Sequence, residues 1–138
     1  MPARAEIVAE ARTWLGTPWV PAGACKGVGA NCLGFLAGVS RNVGLAALAA
    51  AFDPYRGFAA PPEPRALLLG LRRHLVPIPR DAAAPGDLLL FDFGEGMRHV
   101  AMLSAPATII HAHQSKGRVV EHRLIWMPHS AYRIAGID

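Results

Sequence analysis

Cys32 is a thiol placed for nucleophilic chemistry. It stands in Gly27-Val28-Gly29-Ala30-Asn31-Cys32-Leu33-Gly34-Phe35-Leu36, where a glycine-rich loop runs into an apolar pattern of helical period. Asn31 is a suitable N-cap, so the sulfur is expected in the first turn of a helix. Unpaired N–H groups and the helix dipole there favour thiolate over thiol and can lower a cysteine pKa from about 8.5 to roughly 3.5–7.5. Cys32 is therefore expected to be ionised at neutral pH, and a nucleophile of this kind needs a base.

Two histidines far along the chain supply one. Arg98-His99-Val100-Ala101-Met102-Leu103-Ser104 and Thr108-Ile109-Ile110-His111-Ala112-His113 read as consecutive strands around an Ala105-Pro106-Ala107 turn. A turn centred on Ala105 sets His99 directly opposite His111, with Cβ atoms about 5 Å apart. One imidazole can then take the thiol proton while the second orients the first, as cysteine acyl-transfer chemistry requires. Taken alone, His99 reads better as a structural histidine; with Cys32 and His111 it reads as catalytic.

In order along the chain stand Leu15-Gly16-Thr17-Pro18-Trp19, Lys26-Gly27-Val28-Gly29, Asn31-Cys32-Leu33-Gly34, Pro85-Gly86-Asp87-Leu88-Leu89-Leu90-Phe91, Arg98-His99-Val100-Ala101 and Ile110-His111-Ala112. This succession resembles the NlpC-type cell-wall cysteine peptidases, papain-like enzymes. Within them it is most similar to the short single-domain members carried in phage tails and gene transfer agents. The resemblance implies that Cys32 is the nucleophile, His99 the general base and His111 the residue that orients His99, with no metal and no organic cofactor. It further implies hydrolysis of a stem-peptide bond of peptidoglycan, the D-glutamyl to diamino-acid link.

Two positions depart from the family pattern. Asn31 stands where an Asp associated with holding the free amine of the stem peptide is usual, and it supplies no charge. Trp19 stands where Tyr is usual and brings a stacking face and an N–H donor without an acceptor. Both remain candidate substrate-binding residues, as does His113, which shares a strand face with His111 and reads as a rim contact. His74, His122 and His129 read as surface residues, Trp14 as core, Trp126 as packed over the sheet or against a partner, and Asp87 as a turn and strand-start residue.

The two cysteines, Cys25 and Cys32, give no disulfide framework, and Cys25 reads as a small buried side chain. A Cys25–Cys32 bridge is geometrically open. A zinc site from Cys25, Cys32, His111 and His113 matches no common spacing. The net charge of +4 suits an anionic partner such as peptidoglycan, and no nucleic-acid partner is expected. Only 17% of residues are charged while 52% are apolar, an excess that reads as surface for a protein partner. No apolar run reaches signal-peptide or membrane-spanning length, so neither export by its own leader nor stable membrane insertion is expected.

The elements that must position these residues are helices first and strands after. Apolar spacing predicts helices over Ala3–Trp14, Cys32–Val43 and Arg65–Leu75, and alanine content adds a short one over Leu45–Phe52. Proline predicts a loop over Asp53–Pro64 and an irregular connection over Pro77–Gly86. Five strands are predicted over Asp87–Phe93, Arg98–Ser104, Thr108–His113, Arg118–His122 and Tyr132–Ile137. The expectation is one papain-like α+β domain over residues 1–138, N-terminal helices packed on an antiparallel sheet of about five strands.

The expected function is thus a peptidoglycan endopeptidase made in the cytoplasm, seated on tail-tip or baseplate hub proteins of a phage-like particle. It would act in the target-cell periplasm during DNA delivery. Two alternatives stand beside it: a structural tail-tip protein whose activity has decayed, and another thiol-dependent amidase or acyl transferase.

Overall fold

The computed structural model describes residues 1–56, 64–94 and 98–137. Four helices come first: α1 (Arg4–Arg12), α2 (Cys32–Asn42), α3 (Ala46–Arg56) and α4 (Pro64–His74), with a small ribbon of β1 (Ala24–Cys25) and β2 (Gly29–Ala30) just before α2. A sheet follows: β3 (Val76–Ile78), β4 (Leu88–Asp92), β5 (Arg98–Ala105), β6 (Thr108–His113), β7 (Arg118–Arg123) and β8 (Ser130–Arg133). Its order is β3-β8-β4-β5-β6-β7, and every pairing in it is antiparallel. The expected α+β class is what the chain adopts.

The sheet has six strands, not five. The irregular connection was expected from Pro77; instead Val76–Ile78 pairs with β8, and Pro77 is tolerated because β3 is an edge strand. The last strand covers Ser130–Arg133, so the stretch expected to reach Ile137 stops early. The Asp53–Pro64 loop also needs correction. Helix α3 runs on to Arg56 with Pro54 inside it; the proline gives up its own bond to the Ala50 carbonyl, and the helix ends two residues later. The rest of that expected loop, 57–63, lies outside the described residues.

The run Leu88-Leu89-Leu90-Phe91 is buried on both sides, as a central strand with two covered faces must be. Leu88, Leu90, Val100, Met102 and Ile110 face the helices, where Trp14, Phe35 and Leu36 are fully buried. Leu89, Phe91, Ala101, Leu103 and Ile109 point to the other face, under Leu124 and Trp126. Each such aliphatic side chain contributes about 1.5–3 kcal/mol by leaving water. A Cβ on Gly38 would overlap the Trp14 ring, so glycine is what lets Trp14, just after α1, lie against α2.

Asp87 does more than start a strand. It is fully buried, takes both Nε and an Nη hydrogen bond of Arg133 at 3.1 and 2.8 Å, a third from Arg4 at 3.0 Å and a fourth from the Ala84 N–H at 2.9 Å. Arg4 belongs to α1 and Arg133 to β8, so one carboxylate ties both ends of the fold to the sheet. Removing one partner of a buried pair leaves the others uncompensated. Asp87→Asn should lower stability by about 3 kcal/mol, or ~10 °C in Tm for a chain this size, read by thermal denaturation. A change within about 2 °C would show that the cluster is energetically idle.

Candidate active site

Helix α2 begins at Cys32 and packs against β5 and β6. Asn31 caps it, its side-chain oxygen accepting the Gly34 N–H at 2.8 Å. The Asn31 N–H donates to the Gly23 carbonyl at 3.1 Å, and a Cβ on Gly34 would overlap that same carbonyl. Gly34 thus lets the first turn seat on the loop before it. Gly34→Ala should push the start of α2 off that loop, cost about 1–3 kcal/mol and slow alkylation of Cys32. Unchanged stability and unchanged labelling would show that the turn adapts freely.

Cys32 is half-buried. Burial pushes its thiol above the usual range, and the N–H groups of Val100, Leu33 and Cys32 itself, all aimed at the sulfur, only partly pull it back. The helix N-terminus does act as expected, but desolvation of the charged form outweighs it. The expectation of a thiolate at neutral pH is therefore corrected to a neutral thiol. Its sulfur meets the sheet at Val100, the residue after His99. Cross-strand pairing of β5 with β6 starts only beyond that point, at Met102↔Ile110.

The hairpin register also differs from expectation. The loop is the two-residue Pro106-Ala107 with Ala107 at φ 56°, and the register shifts between Leu103 and Ala105. Continuing the ladder places Ala101, not His99, opposite His111. The displacement is by two residues, which keeps both imidazoles on one face as diagonal neighbours. They still meet: His99 Nε2 lies 2.6 Å from His111 Nδ1.

The contact continues to a residue expected on the surface. His111 Nε2 lies 2.8 Å from His122 Nε2, and His122 Nδ1 lies 2.8 Å from the Arg123 carbonyl. A carbonyl only accepts, so His122 carries its proton on Nδ1 and its Nε2 is an acceptor. His111 must then donate from Nε2 and accept on Nδ1, and His99 must donate from Nε2. With His122 Nε2 accepting, the neutral His111 and His99 rings leave one free lone pair at the far end, on His99 Nδ1. That is the tautomer a base needs. The β6–β7 register sets Ile109 against His122, one diagonal step from His111. The turn between these strands was the sequence signal that would have revealed it.

Burial, with the neighbouring His113 imidazole, pushes His99 down to about 4. Burial, then His99, His113 and His122, pushes His111 down to about 2. His113 is lowered too, by burial and then by His122 and Lys116. All three rings are therefore neutral at pH 7. Trp126 packs over the sheet here, 5.7 Å from His111 and 5.6 Å from Phe91 between ring centroids. His113 stands 4.9 Å from His111 on the same face and is half-buried. Trp19 is half-buried against the main core, its backbone N–H donating to the Gly117 carbonyl. Cys25 is exposed in the ribbon, not buried, and both cysteines are free thiols. His74 and His129 are exposed and Trp14 is core, as expected.

No protein-family model matches this chain, and no curated protein matches it. Among solved structures, the NlpC/p60 domain of the peptidoglycan hydrolase SagA is similar to it. The TM-score is 0.70 and the identity 27%, over 96% of this chain and 100% of that one. An NlpC/P60 family protein from Bacillus cereus matches with TM-score 0.67 and 24% identity over 96% of this chain, which spans 40% of that protein. The peptidoglycan hydrolase RipB from Mycobacterium tuberculosis matches with TM-score 0.62 and 17% identity, over 95% of this chain and 64% of that one. The architecture is the NlpC/p60 papain-like α+β fold.

Proposed function

We propose that this chain is a cysteine peptidase that cleaves the stem peptide of peptidoglycan. The observation that carries the reading is the imidazole relay, which ends in a free lone pair on His99 Nδ1, one residue from the strand N–H that touches the Cys32 sulfur. Its similarity to a peptidoglycan hydrolase domain along the full length of that domain supports the substrate class.

In this reading His99 Nδ1 takes the thiol proton as the sulfur attacks the scissile carbonyl, since thiol and imidazole both start neutral. Backbone N–H groups at the start of α2 stabilise the oxyanion. The imidazolium donates from Nε2 to His111, whose own proton is held outward on His122, so the charge stays on His99. His99 then protonates the leaving amine. Water, deprotonated by the same nitrogen, releases the acyl-enzyme.

The bond is the D-glutamyl to diamino-acid link, and the enzyme works from the tail of a phage-like particle against a target-cell wall. The resemblance of its motifs supports this. So do the exposed Val28, Ile125 and Met127, apolar surface available to a tail-tip or hub protein. Among the described residues no helix is long and apolar enough to cross a membrane. Asn31 holds the helix through its side-chain oxygen and offers substrate no charge. We therefore expect Asn31→Asp to raise preference for free stem peptides with an N-terminal amine, read as the kcat/KM ratio for free and glycan-linked peptides. An unchanged ratio would leave Asn31 as a cap alone. The test of the whole reading is digestion of purified peptidoglycan followed by mass analysis of the fragments. Fragments with a new diamino-acid amine support it. No turnover would favour a structural tail-tip protein, and ester or side-chain amide products another acyl-transfer reaction.

A further inference from the structure

We infer that His111, His113 and His122 form a binding site for a zinc-like divalent transition metal, and that metal bound there switches off the Cys32–His99 pair. The switching half rests on the proposed roles of Cys32 and His99; the metal site does not.

The three rings come from two paired strands, two from β6 and one from β7. Each offers a nitrogen, and these nitrogens lie within 4.8 Å of one another. Four-coordinate zinc holds nitrogens at about 2.0–2.1 Å, which sets neighbouring ligands ~3.4 Å apart, so ring movements of about an ångström close the site. Imidazole is a good ligand for zinc, copper and nickel. Metal-bound histidines are held in place by a hydrogen bond from their outer nitrogen; one of these already makes it, and a second has a partner at hand. His122 Nδ1 is on the Arg123 carbonyl and His111 Nδ1 on His99, while both Nε2 atoms face each other at 2.8 Å. His113 accepts the Lys116 N–H at 3.3 Å, a long bond that is readily released. Trp126 lies 5.7 to 5.9 Å from all three rings, while His113 and His122 are each only half-buried.

A metal takes the place of the one proton between His111 and His122. The proton count then decides the consequence. With His111 Nε2 on the metal, the proton of this neutral ring moves to Nδ1, which now donates to His99 Nε2. The His99 proton moves in turn to its own Nδ1. No proton is gained or lost along His111 and His99, yet the nitrogen that served Cys32 has lost its lone pair.

The test uses the full chain carrying Cys25→Ser, so that Cys32 is its one thiol. Cobalt titration should give the visible spectrum of a nitrogen-ligated ion without a near-ultraviolet thiolate-to-cobalt band. His122→Gln, whose amide oxygen still accepts from His111, and His113→Ala should each weaken binding about tenfold or more. Zinc at one equivalent should slow iodoacetamide alkylation of Cys32 about tenfold, reversed by chelator, and should not change the rate of either variant relative to its own metal-free value. Absent binding, a thiolate-to-cobalt band, or equal slowing in both variants would each overturn the site. Metal binding that leaves alkylation and wall digestion unchanged would overturn the switch. If metal-free protein digests no wall while zinc still slows alkylation, the proposed function fails and this inference stands.

Discussion

A Cys32→Ala protein should fold and digest no peptidoglycan. Its side chain is half-buried at the first position of α2, and the cap on that helix is made by Asn31 and the Gly34 N–H, not by the sulfur. Removing one atom there should change stability by only about 1 kcal/mol. Turnover needs a covalent acyl intermediate, and no other group among the described residues holds a comparable place, so the loss should exceed about a thousandfold. The reactivity of the native thiol carries a second expectation. Because burial raises Cys32 and Cys25 is exposed, iodoacetamide should label Cys25 first at neutral pH, and Cys32 labelling should still climb as pH passes the usual thiol range. Labelling of Cys32 that is already complete and flat at pH 7 would restore the preformed thiolate. Wall digestion by Cys32→Ala would remove it as nucleophile.

The thiol shows what a sequence conveys and what it withholds. The Gly-rich approach, Asn31 and the apolar period after it locate a helix N-terminus at Cys32, because capping and periodicity are local. The ionisation state is not local. It depends on how much of the sulfur the sheet covers, and this is decided by Val100, far away along the chain. The histidines divide in the same way. Alternation placed His99 and His111 on one face, and that survived a two-residue error in register because parity, not exact pairing, sets the face. The bulge near Ser104 and the left-handed Ala107 carried no glycine or asparagine to announce them. His122 went unread because its partner is reached only through the β6–β7 register. Asp87 looked like a turn residue since its two arginines come from opposite ends of the chain.

Strand β3 and the β1–β2 ribbon were missed for a related reason. Each is two or three residues long, too short for any period, and exists because a neighbour offers an edge. Helices α1, α2 and α4 and strands β4 to β7 are long enough to carry a period of their own.

His99→Ala should cost more than any change to the rings behind it, about a hundredfold to ten-thousandfold in kcat/KM on a soluble stem peptide. His99 alone moves a proton to and from reacting atoms, while His111 acts by accepting its Nε2–H. His111→Gln keeps an acceptor and should lose far less, and His111→Phe, which keeps the shape and no acceptor, should fall between them. The pH profile separates this order from simple damage to the fold. His99 is useful only when neutral, and burial with the His113 ring beside it holds its pKa near 4. Activity should therefore persist through the range where an ordinary histidine protonates, at about 6.5, and fall only as pH drops through about 4. His113→Ala removes one neighbouring imidazole and should move that acid limb upward. Substituting His111 by Gln removes another ring but leaves the buried acceptor, so its limb should stay acidic. An acid limb near 6.5 in the native protein would mean that His99 is solvated and the relay is not formed. Equal losses in His99→Ala and His111→Gln would mean that the two rings share the proton, and the orienting role assigned to His111 would give way to a joint one.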